Sequence, residues 1–240
     1  MADQTLKILG SEDIAAGTRA FHLSRPDGFH YEAGQTIDLY LIDPKEMDDE
    51  GPVRTFSLVS APHEPELMFA TRMRNTAFKR TIKSAPVGTE LKWDGPYGSF
   101  TLHKNAKKSA IFIAGGIGIT PFMSITKNAI HHKLEHPIYL FHSNNTPEDA
   151  PFQEELKSFA QESANVHFIP TMTSMDKSSA AWNGERGFID SGMINRAIPD
   201  HSNAIFYLAG PPGFVAAMRK MLAEAKVDED TIRFEEFPGY

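Results

Sequence analysis

The chain has 240 residues, 41% hydrophobic and 23% charged, with a formal net charge of −7 and no cysteine. That length favours two domains over one, and the composition supplies apolar material for two cores. The missing cysteines exclude disulfides, thiolate-bound iron–sulfur clusters, cysteine zinc sites and cysteine nucleophiles, while the acidic balance argues against a nucleic-acid partner. No uncharged apolar run is long enough to span a membrane, and the start of the chain lacks a signal-peptide layout, so a cytoplasmic protein is expected.

The first hundred residues read as short strands between turn signals: 6–10, 18–24, 36–42, 53–60, 67–74 and 90–93, with one short helix at 76–82. Gly17, Gly28, Gly34, Gly51 and Gly88 punctuate them. Many short strands with glycine and proline turns suggest an antiparallel barrel or sandwich. Arg72, Arg74, Lys79, Arg80 and Lys83 cluster here, either as a solvated surface or as an anion site.

Near residue 104 the texture changes. The unbroken apolar run 110–114 suits a strand buried on both faces. Helices are then expected at 121–132, 151–163, 190–197 and 214–225, alternating with strands at 137–142, 166–170, 204–208 and 231–236. Alternation of this kind predicts a doubly wound parallel sheet. Residues 1–103 and 104–240 are therefore expected to be separate domains.

Between the buried strand and the next helix lies Gly115-Gly116-Ile117-Gly118-Ile119-Thr120-Pro121. Glycines let a backbone turn sharply and approach a phosphate; Thr120 suits an N-cap, and Pro121 the first helical position. Free helix N–H groups would then face a pyrophosphate. A structural tight turn uses the same residues, and the spacing matches neither the dinucleotide fingerprint nor a P-loop. Gly210-Pro211-Pro212-Gly213-Phe214 forms a second loop after the strand at 204–208. Both loops fall at the carboxyl ends of parallel strands, where such sheets bind ligands. Among the histidines, His131, His132 and His136 are the densest group and look like a solvated helix end; no metal site is expected.

Four separated motifs together resemble the ferredoxin–NADP reductase superfamily. Arg54-Thr55-Phe56-Ser57 resembles its flavin motif, and Gly95-Pro96-Tyr97-Gly98 its turn at the end of the barrel. The loops at 115–121 and 210–214 resemble its two nicotinamide-nucleotide loops. The resemblance implies a Greek-key FAD-binding barrel followed by a NAD(P)-binding α/β domain. It implies that Arg54 pairs with a flavin phosphate, that Thr55 and Phe56 lie along the isoalloxazine, and that Ser57 bonds flavin N5. Thr71 and Arg72 would sit near the ribityl chain or phosphate, and Thr76 and Lys79 near the pyrophosphate. Gly115, Gly116, Gly118, Thr120, Pro121, Gly210 and Pro211 would hold the nicotinamide nucleotide.

At the C-terminus the family carries a carboxylate and then an aromatic near the flavin. These correspond to Glu235 and Phe237, with Tyr240 as the alternative aromatic; a buried last strand with a frayed tail is the plainer reading. The chain departs from the family at Ala209, where many reductases have cysteine. The implied activity is hydride transfer from NADH or NADPH to FAD, then electron passage to a ferredoxin- or flavodoxin-like carrier protein or a small-molecule acceptor. The alternative is a FAD-binding regulatory or electron-transfer module with little turnover. Segment 142–149 has no lysine or arginine to read a 2′-phosphate, which favours NADH.

Overall fold

The structure is a computed structural model that describes residues 4–238. The N-terminal half forms one curled antiparallel sheet: β1 (Thr5–Ala15), β2 (Thr18–Leu23), β3 (Thr36–Leu41), β4 (Val53–Ser57), β5 (Leu67–Arg72) and β6 (Glu90–Tyr97). Their order is β4-β3-β6-β1-β2-β5. The two outer strands then meet: Leu58 bridges Phe69, and the Val59 N–H donates to the Met68 carbonyl at 2.7 Å. The sheet is thus curled almost into a closed barrel, as the turn-rich sequence predicts.

Period-two alternation decides which side chains fill the barrel. In β3, Ile37, Leu39 and Leu41 point inward and are buried. Phe21 stacks on Phe69, with ring centroids 5.0 Å apart, at the centre of the same cluster. Helix α1 (Ala77–Ser84) buries Phe78 and Ile82 against that cluster and is capped by Thr76, whose hydroxyl accepts from the Lys79 N–H at 3.3 Å.

Two strands run further than their sequence suggests. β1 continues through polar Ser11, Glu12 and Asp13 because that half forms an exposed, bulged hairpin with β2. β6 continues through the Gly-Pro-Tyr segment, read from sequence as a turn, because a bulge keeps Tyr97 opposite Thr36.

The C-terminal half is a parallel sheet of β7 (Ser109–Gly115), β8 (Ile138–Asn144), β9 (Val166–Met172), β10 (Glu185–Arg186), β11 (Ala204–Gly210) and β12 (Ile232–Glu236). The order β10-β9-β8-β7-β11-β12 places the direction switch at β7 and β11, the two strands that end in glycine loops. Helices α2 (Thr120–His131), α3 (Gln153–Glu162), α4 (Ser191–Ala197) and α5 (Pro212–Glu224) cover both faces. Two-residue β10 carries no apolar run and is not legible in the sequence. Ala110, Phe112, Ala114 and Tyr207 pack with α2 and also with Val59, Ala70 and Phe100 from the barrel side, so one apolar cluster joins the two sheets.

Candidate active site

A cavity of about 470 Å³ lies between the sheets. The barrel half contributes Arg54, Thr55, Phe56, Ser57, Thr71, Thr76 and Lys79; the C-terminal half contributes Thr120, Glu235 and Phe237. These residues are scattered over the sequence and are gathered here. Tyr240, the alternative aromatic, lies outside the described residues. The volume falls within the range of ligand pockets, roughly 300–1,000 Å³.

Strand register sorts the flavin motif. Phe56 lies opposite inward-facing Ile37 in β3. Its ring packs 4.3 Å from Phe69 and 5.8 Å from Phe78, and only 8% of the residue is exposed. The expectation that Phe56 offers its face to a ligand is therefore corrected: the ring fills the barrel and only borders the cavity. Thr55 and Ser57 alternate to the other side, and the Thr55 hydroxyl donates to Asp38.

Arg54 is fixed by a loop rather than left free. Its guanidinium reaches Asp48 at 2.9 Å and Glu50 at 2.8 Å, and donates to the carbonyls of Gly51 and Val53 at 2.9 and 2.7 Å. It also lies over the Phe78 ring, 5.5 Å from the centroid. The second Asp48 oxygen accepts from the Ala77 N–H at 2.9 Å, at the start of α1. Arg54 holds the Asp48 carboxyl below its usual range. An acidic side chain thus occupies the position where Arg54 and a helix N-terminus converge. Lys79 lies nearby, pushed down to about 8 by burial first and then by Arg74 and Arg54. Crowded, partly buried cations beside a cavity suit a strongly anionic group such as a pyrophosphate.

At the opposite end, the Ser57 hydroxyl donates to Glu235 Oε2 at 3.4 Å. Burial pushes the Glu235 carboxyl up to about 7, with the Ser57 hydrogen bond working against it. A carboxyl poised there can hold or release a proton at neutral pH. Phe237 follows Glu235 at the cavity edge, its N–H donating to the Gly210 carbonyl at 2.9 Å.

A second cavity of about 510 Å³ opens at the carboxyl edge of the parallel sheet. Gly115, Gly116, Pro211, Asn144 and Phe188 line it, and so does Arg72. Here a second expectation is corrected. Thr71 faces the first cavity, but Arg72, one residue on, points to the opposite side and belongs to the second. It binds the Asp149 carbonyl at 3.3 Å and the Asp149 carboxylate at 3.8 Å. Arg74 lines the same cavity, so the cations missing from segment 142–149 are supplied by the barrel.

The glycines divide by task. Gly116 has φ +56° and faces the cavity, its missing side chain pointing toward the Arg72 guanidinium. Gly118 instead lies against the other loop: a Cβ there would stand 2.2 Å from the Ala209 carbonyl oxygen. Gly118, Gly210 and Pro121 border neither cavity. Thr120 is not the N-cap. A 3-10 turn at Gly116–Ile119 leads directly into α2, and the Thr120 hydroxyl donates back to the Ile117 carbonyl at 3.1 Å.

His142 was missed by sequence reasoning. It is fully buried, and burial pushes its pKa down to about 4, so it is neutral and reaches the Gly116 carbonyl as an Nε2 donor at 2.8 Å. It braces the glycine loop from below. Its only sequence signal is a polar residue at the end of an apolar strand. Asn144 borders the second cavity, and among the described residues its buried amide nitrogen and oxygen have no hydrogen-bond partner. Phe188, 79% exposed, adds an aromatic face at the rim.

Comparison with known proteins agrees with this geometry. Residues 112–220 match the family described as oxidoreductase NAD-binding domain. NADH-cytochrome b5 reductase 1 of Candida albicans is 30% identical over 210 residues, covering 84% of this chain and 66% of that protein. The chain belongs to the ferredoxin–NADP reductase superfamily. Another member, the glycine betaine monooxygenase reductase subunit of Chromohalobacter salexigens, is 25% identical over 233 residues, covering 92% of this chain. This chain spans 60% of that relative's length. A ferredoxin NADP+ reductase from Neisseria gonorrhoeae, crystallised with FAD and NADP, shares the superfamily fold with a TM-score of 0.82 at 21% identity, covering 98% of this chain and 99% of that one. No helix among the described residues is long and apolar enough to cross a membrane.

Proposed function

We propose that this chain is an NAD(P)H-dependent flavin oxidoreductase, with FAD in the first cavity and the nicotinamide nucleotide in the second. The observation that carries it is Ser57 of the barrel meeting Glu235 of the parallel sheet in the wall of the first cavity. In this reading residues 1–103 form the FAD domain and 104–240 the nucleotide domain, divided in the link between β6 and β7.

Bound FAD would supply the two-electron acceptor that the protein's own side chains lack. Arg54, Thr76 and Lys79 would hold its phosphates, with Arg54 exchanging Asp48 for phosphate oxygens. Thr55 and Ser57 would orient the reacting end. Glu235 would hold or relay a proton through the Ser57 hydroxyl. Phe237 would close the cavity edge and exclude water. Gly116, Arg72 and Asn144 would hold the nicotinamide nucleotide, Arg72 at its pyrophosphate.

The acceptor is proposed to be a separate redox carrier protein, in a cytoplasmic setting. Relatives named as reductase or electron-transfer components of oxygenase systems support a carrier. The alternative is a flavin-binding module with little turnover, for which, in the sequence, Ala209 in place of the family's cysteine is the best support. Its methyl group is fully buried and borders neither cavity, so nothing at that position favours it.

Anaerobic mixing of the FAD-loaded protein with NADH and with NADPH tests the proposal. Rapid bleaching of the flavin by at least one nucleotide is expected. A yellow protein that neither nucleotide reduces would overturn it.

A further inference from the structure

Away from both cavities, three histidines converge where the barrel meets α2. His63 lies in the connection between β4 and β5, and His131 and His132 lie at the C-terminal end of α2. The His63 and His131 rings stack with centroids 3.7 Å apart and planes 7° apart. His132 stands edge-on, 4.8 Å from His131 and 6.3 Å from His63. One ring nitrogen from each lies within 4.8 Å of the other two, and all three residues are exposed. His136, which the sequence groups with them, is buried elsewhere, its Nε2 against the His103 carbonyl at 2.8 Å.

We propose that His63, His131 and His132 form a three-imidazole site for a divalent transition-metal ion, zinc by preference, that clamps the barrel to α2. Imidazole nitrogens without carboxylate or carbonyl ligands suit zinc, copper or nickel and do not suit magnesium or calcium. Zn–N bonds of 2.0–2.1 Å in a tetrahedron set ligand nitrogens about 3.4 Å apart, so nitrogens that now lie within 4.8 Å need to close by up to roughly 1.4 Å. The stacked His63 and His131 rings would turn out of their parallel arrangement to point their lone pairs at a shared ion, and all three side chains are exposed. A water would take the fourth position.

The surroundings are already ordered for this. One face of α2 meets the connection after β4 three times. Ser124 donates to the Ser60 carbonyl at 2.6 Å, Lys127 lies 3.5 Å from Glu64, and His131 stacks on His63. Lys127 also pairs with Glu155 of α3 at 3.2 Å. The first two contacts are a hydrogen bond and an ion pair; at the third, His132 joins the stacked pair and one ring nitrogen from each of the three histidines lies within 4.8 Å of the others. Helix α2 starts at the glycine loop, and the connection that carries His63 follows directly from Ser57. A metal at the far end of the helix would therefore fix the two walls between which the cavities lie.

The test uses the full chain, stripped with a chelator and titrated with zinc against a zinc-binding dye. One zinc per chain is expected, with a zinc-dependent rise in melting temperature. Loss of an outer-shell partner alone typically weakens metal binding 10–100-fold, so His63→Ala and His131→Ala should each weaken it by at least about tenfold. His63→Gln, which keeps a polar side chain of similar size, should behave as His63→Ala does. Wild-type affinity in His63→Ala would leave only an ordinary surface histidine pair and overturn the proposal. So would the absence of saturable binding at one equivalent, or magnesium binding as tightly as zinc.

Discussion

The Ser57 hydroxyl and the Glu235 carboxylate stand 3.4 Å apart although 178 residues separate them in the chain. One ends the fourth strand of the barrel and the other lies in the last strand of the parallel sheet, so their meeting is a property of the interface between the two sheets.

That relationship has a pH signature. Burial raises the Glu235 carboxyl to about 7, so the rate of flavin reduction by NAD(P)H should change with an inflection near pH 7. Glu235→Gln should remove the inflection. Ser57→Ala should slow reduction while FAD stays bound. Single-turnover stopped-flow across pH reads all three, and normal rates in Ser57→Ala would remove that hydroxyl from the mechanism. The same shift acts on stability. The folded carboxyl holds its proton more tightly than the unfolded one, so its contribution is full below about 4.5 and is lost as pH rises through about 7. Glu235→Gln should therefore gain stability relative to the wild type above pH 7 and show no gain below 4.5.

Arg54 and Asp48 should move flavin affinity in opposite directions. Arg54→Ala removes a charge-assisted contact worth roughly 1.5–3 kcal/mol, or about tenfold to a hundredfold in affinity. Asp48→Ala frees both the Arg54 guanidinium and the Ala77 N–H, and should tighten FAD binding. Fluorescence titration of the apoprotein measures both. Weaker FAD binding in Asp48→Ala would show that the acid positions Arg54 instead of competing for it.

Arg72→Ala should raise KM for NADH and for NADPH alike, about tenfold or more, with FAD affinity unchanged. Its side chain lies in the second cavity beside Gly116, so a pyrophosphate common to both nucleotides is the expected partner. A loss of flavin with unchanged KM would return Arg72 to the first cavity. Arg74→Ala should reduce kcat/KM for NADPH more than for NADH, because Arg74 is the other barrel cation in that cavity.

Two glycines should fail for different reasons. Gly118→Ala places a methyl against the Ala209 carbonyl and should cost roughly 1–3 kcal/mol as an overpacked contact. Gly116→Ala meets only the Arg72 guanidinium, at an ordinary contact distance of 3.8 Å, but keeps a left-handed backbone and should cost about 1–2 kcal/mol. Urea denaturation separates them if nucleotide affinity is followed in parallel: Gly116→Ala should also weaken the nucleotide.

Local pattern carried much of the architecture. The apolar run that became β7, the glycine loops after β7 and β11, and the turn-punctuated strands of the barrel are legible because periodicity and turn chemistry act over a few residues. The motif Arg54–Ser57 was legible as a motif. Which of its side chains face the cavity was not, because the strand's register against β3 sends Phe56 into the barrel. Thr71 and Arg72 were assigned together from sequence and are parted by the same alternation.

By itself, the sequence determined two sheets' worth of elements, their order, the glycine loops and the absence of any thiol chemistry. All of these depend on residue type and short-range spacing. Tertiary structure alone decided that Asp48 neutralises Arg54, that Arg72 faces the second cavity, that Glu235 is buried against Ser57, and that His63 reaches the end of α2. Each of these joins groups far apart in the chain or on opposite faces of a strand. Charge, burial and proton affinity are set by such neighbours, and only the folded chain brings them together.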